Sequence, residues 1–142
     1  KIDVLLVNDG EARQLSGEVS LVKAAKAIMK MGPKFLIIKK GEHGALLFHE
    51  NHVFFAPALP LEEVFDPTGA GDTFAGGFIG YLAKTNDISF DNMKTAIIVG
   101  SALASFCVEK FGPIRLKEIT KEDIDTRLAE FVQLVNFDID LV

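Results

Sequence analysis

Two runs of apolar residues constrain the fold of this chain more than any other sequence feature. The runs Val4–Val7 and Phe35–Ile38 are continuous rather than alternating, which is typical of strands buried on both faces of a sheet. Between them, Asn8 and Ser20 can each cap a helix, and Gly32-Pro33 ends the second one. Strand, helix and strand in this order predict a parallel βαβ unit with a right-handed crossover, and therefore an α/β fold.

The rest of the chain predicts a hairpin followed by helices. The runs Ala45–Phe48 and Val53–Phe55 flank a polar turn, which predicts two antiparallel strands. Ser89 can cap a long apolar helix, and the spacing of Thr120 and Asp123 matches a capping box ahead of a closing helix. The apolar face predicted for the closing helix consists of Ile124, Leu128, Phe131 and Val135.

Composition excludes several classes of function. The 142 residues are one domain's length, and 49% of them are hydrophobic, which is enough for a sizeable core. The formal net charge of −5, with both signs interspersed, argues against a nucleic-acid partner. The most apolar window, Ala96–Val108, is shorter than the roughly 20 residues that span a bilayer, so we expect no membrane partner. The single Cys107 lies in an apolar run, which predicts a buried, reduced thiol in a cytoplasmic protein.

A glycine-rich segment ahead of a predicted helix is the strongest candidate for a binding site. The turn Gly69-Ala70-Gly71 precedes Asp72. The apolar residues that follow at four-residue intervals are Phe74, Phe78 and Leu82, with Ile79 beside them, which predicts a helix from near Gly71. The N–H groups at a helix start have no partner within the helix, and the helix dipole adds about half a positive charge there, so the turn can bind an anion. For so short a motif the alternative is structural, with Asp72 serving only as the N-cap of the helix.

The whole segment around this turn is more specific than its glycines alone. It reads Asp66-Pro67-Thr68-Gly69-Ala70-Gly71-Asp72-Thr73-Phe74. It resembles the C-terminal signature D-T-x-G-A-G-D-x-F of the ribokinase (PfkB-type) family of carbohydrate and nucleoside kinases. The sequence departs from that signature at Pro67, where Thr is commoner, and proline has no N–H to donate. The resemblance covers roughly Val4 to Phe131 and corresponds to the C-terminal half of the family.

The resemblance implies a ribokinase-like three-layer αβα fold. Residues 1–142 would form its C-terminal, nucleotide-binding and catalytic part: a parallel βαβ unit plus a hairpin, then helices. The family's N-terminal half, with the lid and most substrate-binding residues, has no counterpart in the sequence. Because the chain begins at Lys1 without Met and enters a strand at once, we expect it to be a piece of a longer protein. A sheet cut there would expose an apolar edge, which predicts association, with a homodimer as one form.

The resemblance also implies a reaction, the ATP-dependent transfer of a phosphoryl group to a hydroxyl of a sugar or nucleoside, with ATP and Mg²⁺ as cofactors. Asp72 would accept the proton of the attacking hydroxyl, and the N–H groups of Gly69, Ala70 and Gly71 would form an anion hole for the transferring group. The sequence contains no Walker A motif, which excludes a P-loop NTPase. It also lacks the protein-kinase motifs and the dinucleotide-binding G-x-G-x-x-G.

Further site residues implied by the resemblance each have a structural alternative. Asn8 and Glu11 match the family's N-x-x-E motif, which is associated with magnesium and phosphate binding, but they also have the spacing of a capping box. Lys39, Gly41 and Gly44 match its K-x-G-x-x-G segment, where the backbone passes close to nucleotide phosphates, but this segment could be only a hairpin turn. The remaining candidates are Ser101 and Gly112 for the nucleotide, and Asp66 and Thr68 for a monovalent cation such as K⁺.

Two functions from different classes remain open on the sequence alone. In the first, the chain is the nucleotide-binding and catalytic half of an ATP-dependent sugar or nucleoside kinase, inactive on its own. In the second, it is an isolated nucleotide-binding module or a truncated remnant without kinase activity. A monomeric chain that binds ATP but phosphorylates no sugar would favour the module. The identity of the substrate does not follow from these residues.

Overall fold

The computed structural model describes residues 2–61, 69–109 and 117–140 of the chain. The chain divides into two compact units, Lys1–Ala58 and Leu59–Val142. The described part of the first unit is a mixed β-sheet with two helices, and that of the second unit is helical. Across the described ranges, the helices all fall short of the length or the hydropathy that a bilayer crossing requires.

The first unit contains the predicted βαβ unit and the predicted hairpin. Its sheet has the strand order β1-β2-β3-β4, in which β1 and β2 are parallel and the other two pairs are antiparallel. Two helices and a short 3₁₀ turn connect these strands. In chain order the elements are β1 (Val4–Asn8), α1 (Asp9–Ser16), α2 (Leu21–Met29), β2 (Phe35–Lys39), the 3₁₀ turn (Gly41–His43), β3 (Ala45–His49) and β4 (His52–Ala56).

The core of this unit explains why both apolar runs form strands. All residues of the run Phe35–Ile38 are buried, which confirms the prediction that β2 is covered on both faces. The run Val4–Val7 in β1 is half-buried. Since side chains alternate along a strand, Leu36 and Ile38 share one face, where helices α1 and α2 pack. The cluster formed there consists of Ala12, Ala25, Ile28, Leu36, Ile38 and Phe48.

The second unit contains the helices α3 (Ala70–Thr85), α4 (Phe90–Glu109) and α5 (Lys121–Val135). Helices α3 and α4 approach closely because glycines lie at their contact. A β-carbon on Gly77 would lie 3.1 Å from Gly100 Cα and 2.8 Å from Leu103 Cδ1, and one on Gly100 would lie 2.7 Å from the Phe74 carbonyl oxygen. Backbone packing therefore excludes a β-carbon at Gly100, whereas one at Gly77 would press on the Gly100 backbone and displace the Leu103 side chain. Close helix packing accounts for these glycines, each of which costs about 1 kcal/mol in a helix interior.

Three sequence-based predictions about these helices need correction. Helix α3 begins at Ala70 with Gly69 as its N-cap, so the alternative that Asp72 is the N-cap is wrong. Ile79, grouped with the apolar stripe of α3, is 63% exposed. Val135, predicted on the apolar face of the closing helix α5, is 50% exposed because it ends that helix, whereas Arg127 in the same helix is buried.

Candidate active site

The start of α3 leaves backbone donors unsatisfied. Gly69 has φ 82° and ψ −6°, a left-handed conformation that glycine adopts without a steric penalty, and it makes no side-chain cap. The first backbone hydrogen bond of the helix runs from Thr73 N–H to the Gly69 carbonyl oxygen, at 2.9 Å. The N–H groups of Ala70, Gly71 and Asp72 have no acceptor among the described residues. Such a row of donors at the positive end of a helix dipole binds anions.

Asp72 is the third residue of α3 and is exposed to solvent. Its carboxylate makes no hydrogen bond or ion pair with a described residue. An exposed carboxylate beside unsatisfied N–H groups can accept a proton from a hydroxyl that approaches a bound phosphoryl group. The roles of Asp72 as proton acceptor and of the turn as an anion hole stay predictions.

The other described helices all start differently. Asn8, Ser20, Ser89 and Thr120 each accept a hydrogen bond from a backbone N–H in the first turn of the helix that follows them. These four side chains confirm the caps that the sequence predicted. Among the α-helices that the structure describes, α3 alone therefore has an N-terminus that no side chain of its own closes, although the 3₁₀ turn Gly41–His43 also lacks a side-chain cap.

The start of α1 is a complete capping box. Asn8 Oδ1 accepts from Glu11 N–H at 2.7 Å, and Glu11 Oε1 accepts from Asn8 N–H at 2.9 Å. This confirms the structural alternative for the N-x-x-E motif, although each side chain uses only one of its polar atoms in the box.

For neighbouring Asp9, burial raises the pKa, but hydrogen bonds from Gly10 N–H and Arg13 together with the charge of Arg13 lower it overall. The described residues contain no group of three or more His, Cys, Asp and Glu side chains arranged to hold a metal ion.

The parallel pairing of β1 and β2 brings two predicted site residues together. Asn8 and Lys39 are register partners at the carboxyl ends of these strands, and Glu11 follows in the first turn of α1. In open α/β sheets, ligands bind beyond the carboxyl ends of parallel strands. The fold of the first unit therefore places Asn8, Glu11 and Lys39 at the edge of the sheet where such sites occur.

The turn from Lys39 to Gly44 contains two glycines. One is packed against a neighbouring strand, and the other has open space beside it. A β-carbon on Gly44 would lie 2.2 Å from the Ala56 carbonyl oxygen, so close packing against strand β4 requires glycine there. Gly41 has φ 58°, and a β-carbon on it would meet no described atom within 4 Å. The hairpin alternative therefore explains Gly44, and the left-handed φ of Gly41 favours glycine there too, with open space beside its backbone.

The remaining candidates differ in what the structure shows. Ser101 is half-buried within α4. Asp66, Thr68 and Gly112 lie outside the described residues. A groove of about 580 Å³ runs between α3 and α4, and it is lined by Thr73, Gly76, Gly77, Gly80, Tyr81, Lys84, Val99 and Leu103.

Sequence reasoning missed a buried cation at the end of α4. The Arg127 guanidinium donates to Ser105 Oγ at 2.6 Å and to Glu109 Oε1 at 2.5 Å, and it stacks 4.0 Å from the centroid of the Phe106 ring. Helical spacing could have identified it, because Arg127 lies three residues after Ile124 and four before Phe131, on the predicted apolar face of α5. A charged residue on such a face needs a buried partner, and this signal was available in the sequence.

Comparison with known proteins identifies relatives of the chain. The sequence model of the family described as "pfkB family carbohydrate kinase" matches residues 1–120. The chain is 33% identical over 116 residues to a ribokinase from Staphylococcus aureus, covering 78% of this chain and 36% of the relative. It is 39% identical over 84 residues to a cytidine kinase from Thermococcus kodakarensis, covering 57% of this chain and 30% of the relative. The matched region thus spans about a third of these curated relatives.

Solved structures share the fold. The crystal structure of aminoimidazole riboside kinase from Salmonella enterica, complexed with aminoimidazole riboside and an ATP analog, matches with a TM-score of 0.75 and 30% identity, covering 89% of this chain and 42% of that one. Ribokinase from Thermotoga maritima matches with a TM-score of 0.73 and 30% identity over the same shares. The predicted ribokinase-like α/β fold is therefore confirmed.

Proposed function

Because the chain belongs to the pfkB family of carbohydrate kinases, we propose that it forms part of an enzyme that catalyses ATP-dependent transfer of a phosphoryl group to a hydroxyl of a sugar or nucleoside. The observation that carries this proposal is the open start of α3. There, the N–H groups of Ala70, Gly71 and Asp72 have no acceptor among the described residues, and an exposed carboxylate stands beside them. Of the α-helices that the structure describes, no other offers this combination.

The residues at this turn suit a phosphate ligand. Phosphoryl oxygens accept hydrogen bonds, and consecutive backbone N–H groups at a helix start donate them in fixed directions without losing side-chain entropy. The N–H groups from Gly69 to Gly71 would hold the transferring group, and glycine at two of these positions lets the backbone approach it closely. Asp72 would accept the proton of the attacking hydroxyl. The Asp72 carboxylate is a weak base. This is sufficient when the transition state is loose and the attacking hydroxyl loses its proton late.

The first unit would supply residues for the nucleotide and its metal ion. Bound ATP provides the phosphoryl group, and Mg²⁺ offsets the charge on its oxygens. Lys39 and the open backbone at Gly41 would bind phosphates, and Asn8 would contribute through the polar atom that the capping box leaves available. Glu11 would bind Mg²⁺, directly or through water, by the carboxylate oxygen that does not cap α1.

Other predicted contacts rest on the family alone. Ser101 and Gly112 would contact the nucleotide, and Asp66 and Thr68 would bind a monovalent cation such as K⁺. In this proposal, residues 1–142 form the nucleotide-binding and catalytic part of the kinase, and association as a homodimer stays a prediction. The relatives named cytidine kinase, ribokinase and aminoimidazole riboside kinase support a sugar or nucleoside as the acceptor.

The test uses the complete natural protein that contains residues 1–142. It is incubated with ATP and Mg²⁺ and with ribose, fructose, fructose phosphate, adenosine or cytidine, and ADP release is measured. Phosphorus NMR of each mixture then identifies the phosphorylated hydroxyl. We expect one class of acceptor to be phosphorylated well above the rate of ATP hydrolysis in its absence.

Calorimetric titration with a non-hydrolysable ATP analogue supplies the control. Binding of the analogue without phosphorylation of any acceptor would contradict the proposal and favour a nucleotide-binding module. Failure to bind the analogue would contradict both functions. The same titration on the 142-residue chain shows whether these residues bind the nucleotide by themselves.

A further inference from the structure

The last two turns of α4 connect two features of the second unit. On one side they contact the buried Arg127 of α5, and on another the Cys107 thiol lies near the turn at the start of α3. Arg127 is 8% exposed, and Cys107 is 1% exposed. Both contacts belong to the same unit and the same stretch of helix, so a displacement of this stretch would affect both.

The contact with α5 is specific in geometry. One planar guanidinium donates to Ser105 Oγ and Glu109 Oε1 and lies over the Phe106 ring, so three residues of α4 are held by one side chain. Ser105 Oγ in turn donates to the Ala102 carbonyl oxygen at 2.6 Å. Glu130 adds a second carboxylate 3.6 Å from Arg127 Nε. Arginine suits this arrangement because its fork of donors and its flat face act together, which a lysine cannot reproduce.

The contact with α3 involves the N-cap of the proposed anion hole. Cys107 Sγ lies 3.9 Å from the position that a β-carbon on Gly69 would take. Since successive residues of a helix are about 100° apart, Cys107 points roughly 200° away from Ser105 around the axis of α4. Rotation of α4 that breaks the Arg127 contacts would therefore move the Cys107 thiol against or away from Gly69.

We propose that Arg127 is a positioning residue for the phosphoryl-transfer turn. By fixing Ser105 and Glu109, it sets the rotation of the end of α4 and so holds Cys107 behind Gly69. The proposal rests on the function proposed above, because it assigns Arg127 to the alignment of the N–H groups that follow Gly69. It predicts that Arg127 affects the reaction although it belongs to a different helix from Asp72.

The reactivity of the Cys107 thiol tests, without any assay of catalysis, whether Arg127 holds the end of α4 in place. Cys107 is the single cysteine of the chain, so labelling by N-ethylmaleimide reports on this position alone. In the 142-residue chain under native conditions, we expect Arg127→Met to label at least about tenfold faster than wild type, because the end of α4 opens locally. Arg127→Lys should give an intermediate rate.

Phe131→Leu is the matched control, since Phe131 is a buried residue of the same helix. Its labelling rate and that of Arg127→Met are compared at equal free energy of unfolding, reached by adjusting the urea concentration. If the two variants then label equally fast, Arg127 only contributes to global packing and the proposal is wrong. Should Arg127→Met not fold, Ser105→Ala removes one of the two hydrogen bonds and is compared in the same way.

Kinetics of the complete natural protein test whether Arg127 affects the phosphoryl-transfer reaction. We expect Arg127→Met to lower kcat about tenfold with little change in KM for the acceptor, because the hole for the transferring group is displaced while acceptor binding is not. Arg127→Lys should restore part of kcat. Unchanged kcat with accelerated labelling would overturn the positioning role. An inactive wild-type protein would instead contradict the proposed function, and the labelling result would still decide the structural link.

Discussion

The starts of α1 and α3 both have backbone N–H groups without a partner in the helix and a nearby carboxylate, but a side chain caps only the start of α1. At α1, Asn8 and Glu11 exchange hydrogen bonds with each other's backbone N–H groups, so the box satisfies these two donors. At α3, Gly69 provides no side chain, and Asp72 in the corresponding third position makes no cap. Both starts have a carboxylate at the third helical residue, yet only one of these carboxylates closes its helix.

A capping side chain distinguishes a structural helix start from a candidate site. The dipole and the unsatisfied N–H groups are common to every helix, so they cannot by themselves mark function. What differs is whether the chain supplies a side chain that uses them. Helix α5 repeats the arrangement of α1, with Thr120 and Asp123 in a second capping box, and it carries no candidate function.

Replacing the carboxylate of α3 should have the largest effect. Asp72→Asn removes the proton acceptor while keeping the shape of the side chain, so turnover of the complete natural protein should fall by about 10²–10⁴-fold. The free energy of unfolding, measured by urea denaturation, should fall by no more than about 1 kcal/mol, because an exposed acid in a first turn contributes little.

Asp91→Asn is the matched control for this substitution. Asp91 is an exposed acid in the first turn of α4 and pairs with Lys94 at 3.2 Å. Both variants should lose similar small amounts of stability, but only Asp72→Asn should lose turnover. Near-normal turnover of Asp72→Asn would show that Asp72 is not the base.

Replacing the carboxylate of α1 should separate its cap from its proposed metal role. Glu11→Gln keeps an oxygen that can accept from Asn8 N–H, so the capping box and the stability should be preserved. If Glu11 also binds Mg²⁺, the rate at limiting Mg²⁺ should fall about tenfold and recover at high Mg²⁺. The measurement is the rate as a function of Mg²⁺ concentration.

The second capping box provides the comparison for Glu11→Gln. Asp123→Asn makes the same exchange of carboxylate for amide at the third residue of α5, and it should leave the Mg²⁺ dependence unchanged. A Mg²⁺ dependence of Glu11→Gln that superimposes on that of wild type would mean that the start of α1 is purely structural.

The backbone of the α3 start should give the smallest effect of the three. Gly69→Ala forces a β-carbon into a left-handed conformation, which costs about 1–2 kcal/mol of the free energy of unfolding. The nearest side-chain atom, Cys107 Sγ, is at an ordinary contact distance of 3.9 Å, so strain rather than collision causes the loss. Gly69→Asn should lose less, since asparagine tolerates this conformation. Equal losses for the two variants would contradict this explanation.

Local features of the fold followed from the sequence. The caps at Asn8, Ser20, Ser89 and Thr120 were predictable because a cap is a contact between residues two or three apart. The parallel pairing of β1 and β2 was predictable because continuous apolar runs joined by helices pack in few ways. The candidate turn at α3 was identifiable because its glycines and acid are adjacent in the chain.

Features that depend on distant contacts did not follow from the sequence. Gly44 matches a phosphate-binding pattern, yet its β-carbon is excluded by the carbonyl group of Ala56, twelve residues away. Val135 fits the apolar pattern of α5 but ends the helix beyond the residues that bury Phe131. Arg127 interrupts that pattern, and its partners Ser105 and Glu109 lie on another helix.

The α/β class, the helix starts and the candidate anion-binding turn with Asp72 could be read from the sequence alone, because each depends on local spacing or on the apolar pattern of one element. The packing of the folded chain showed which of those features serve the capping and packing of its own elements. It assigned Gly44 to packing, closed the start of α1 and left that of α3 open in the described residues, and placed Arg127 against α4. The physical reason is that packing and the burial of charge depend on which elements meet, and this contact pattern exists only once the chain has folded.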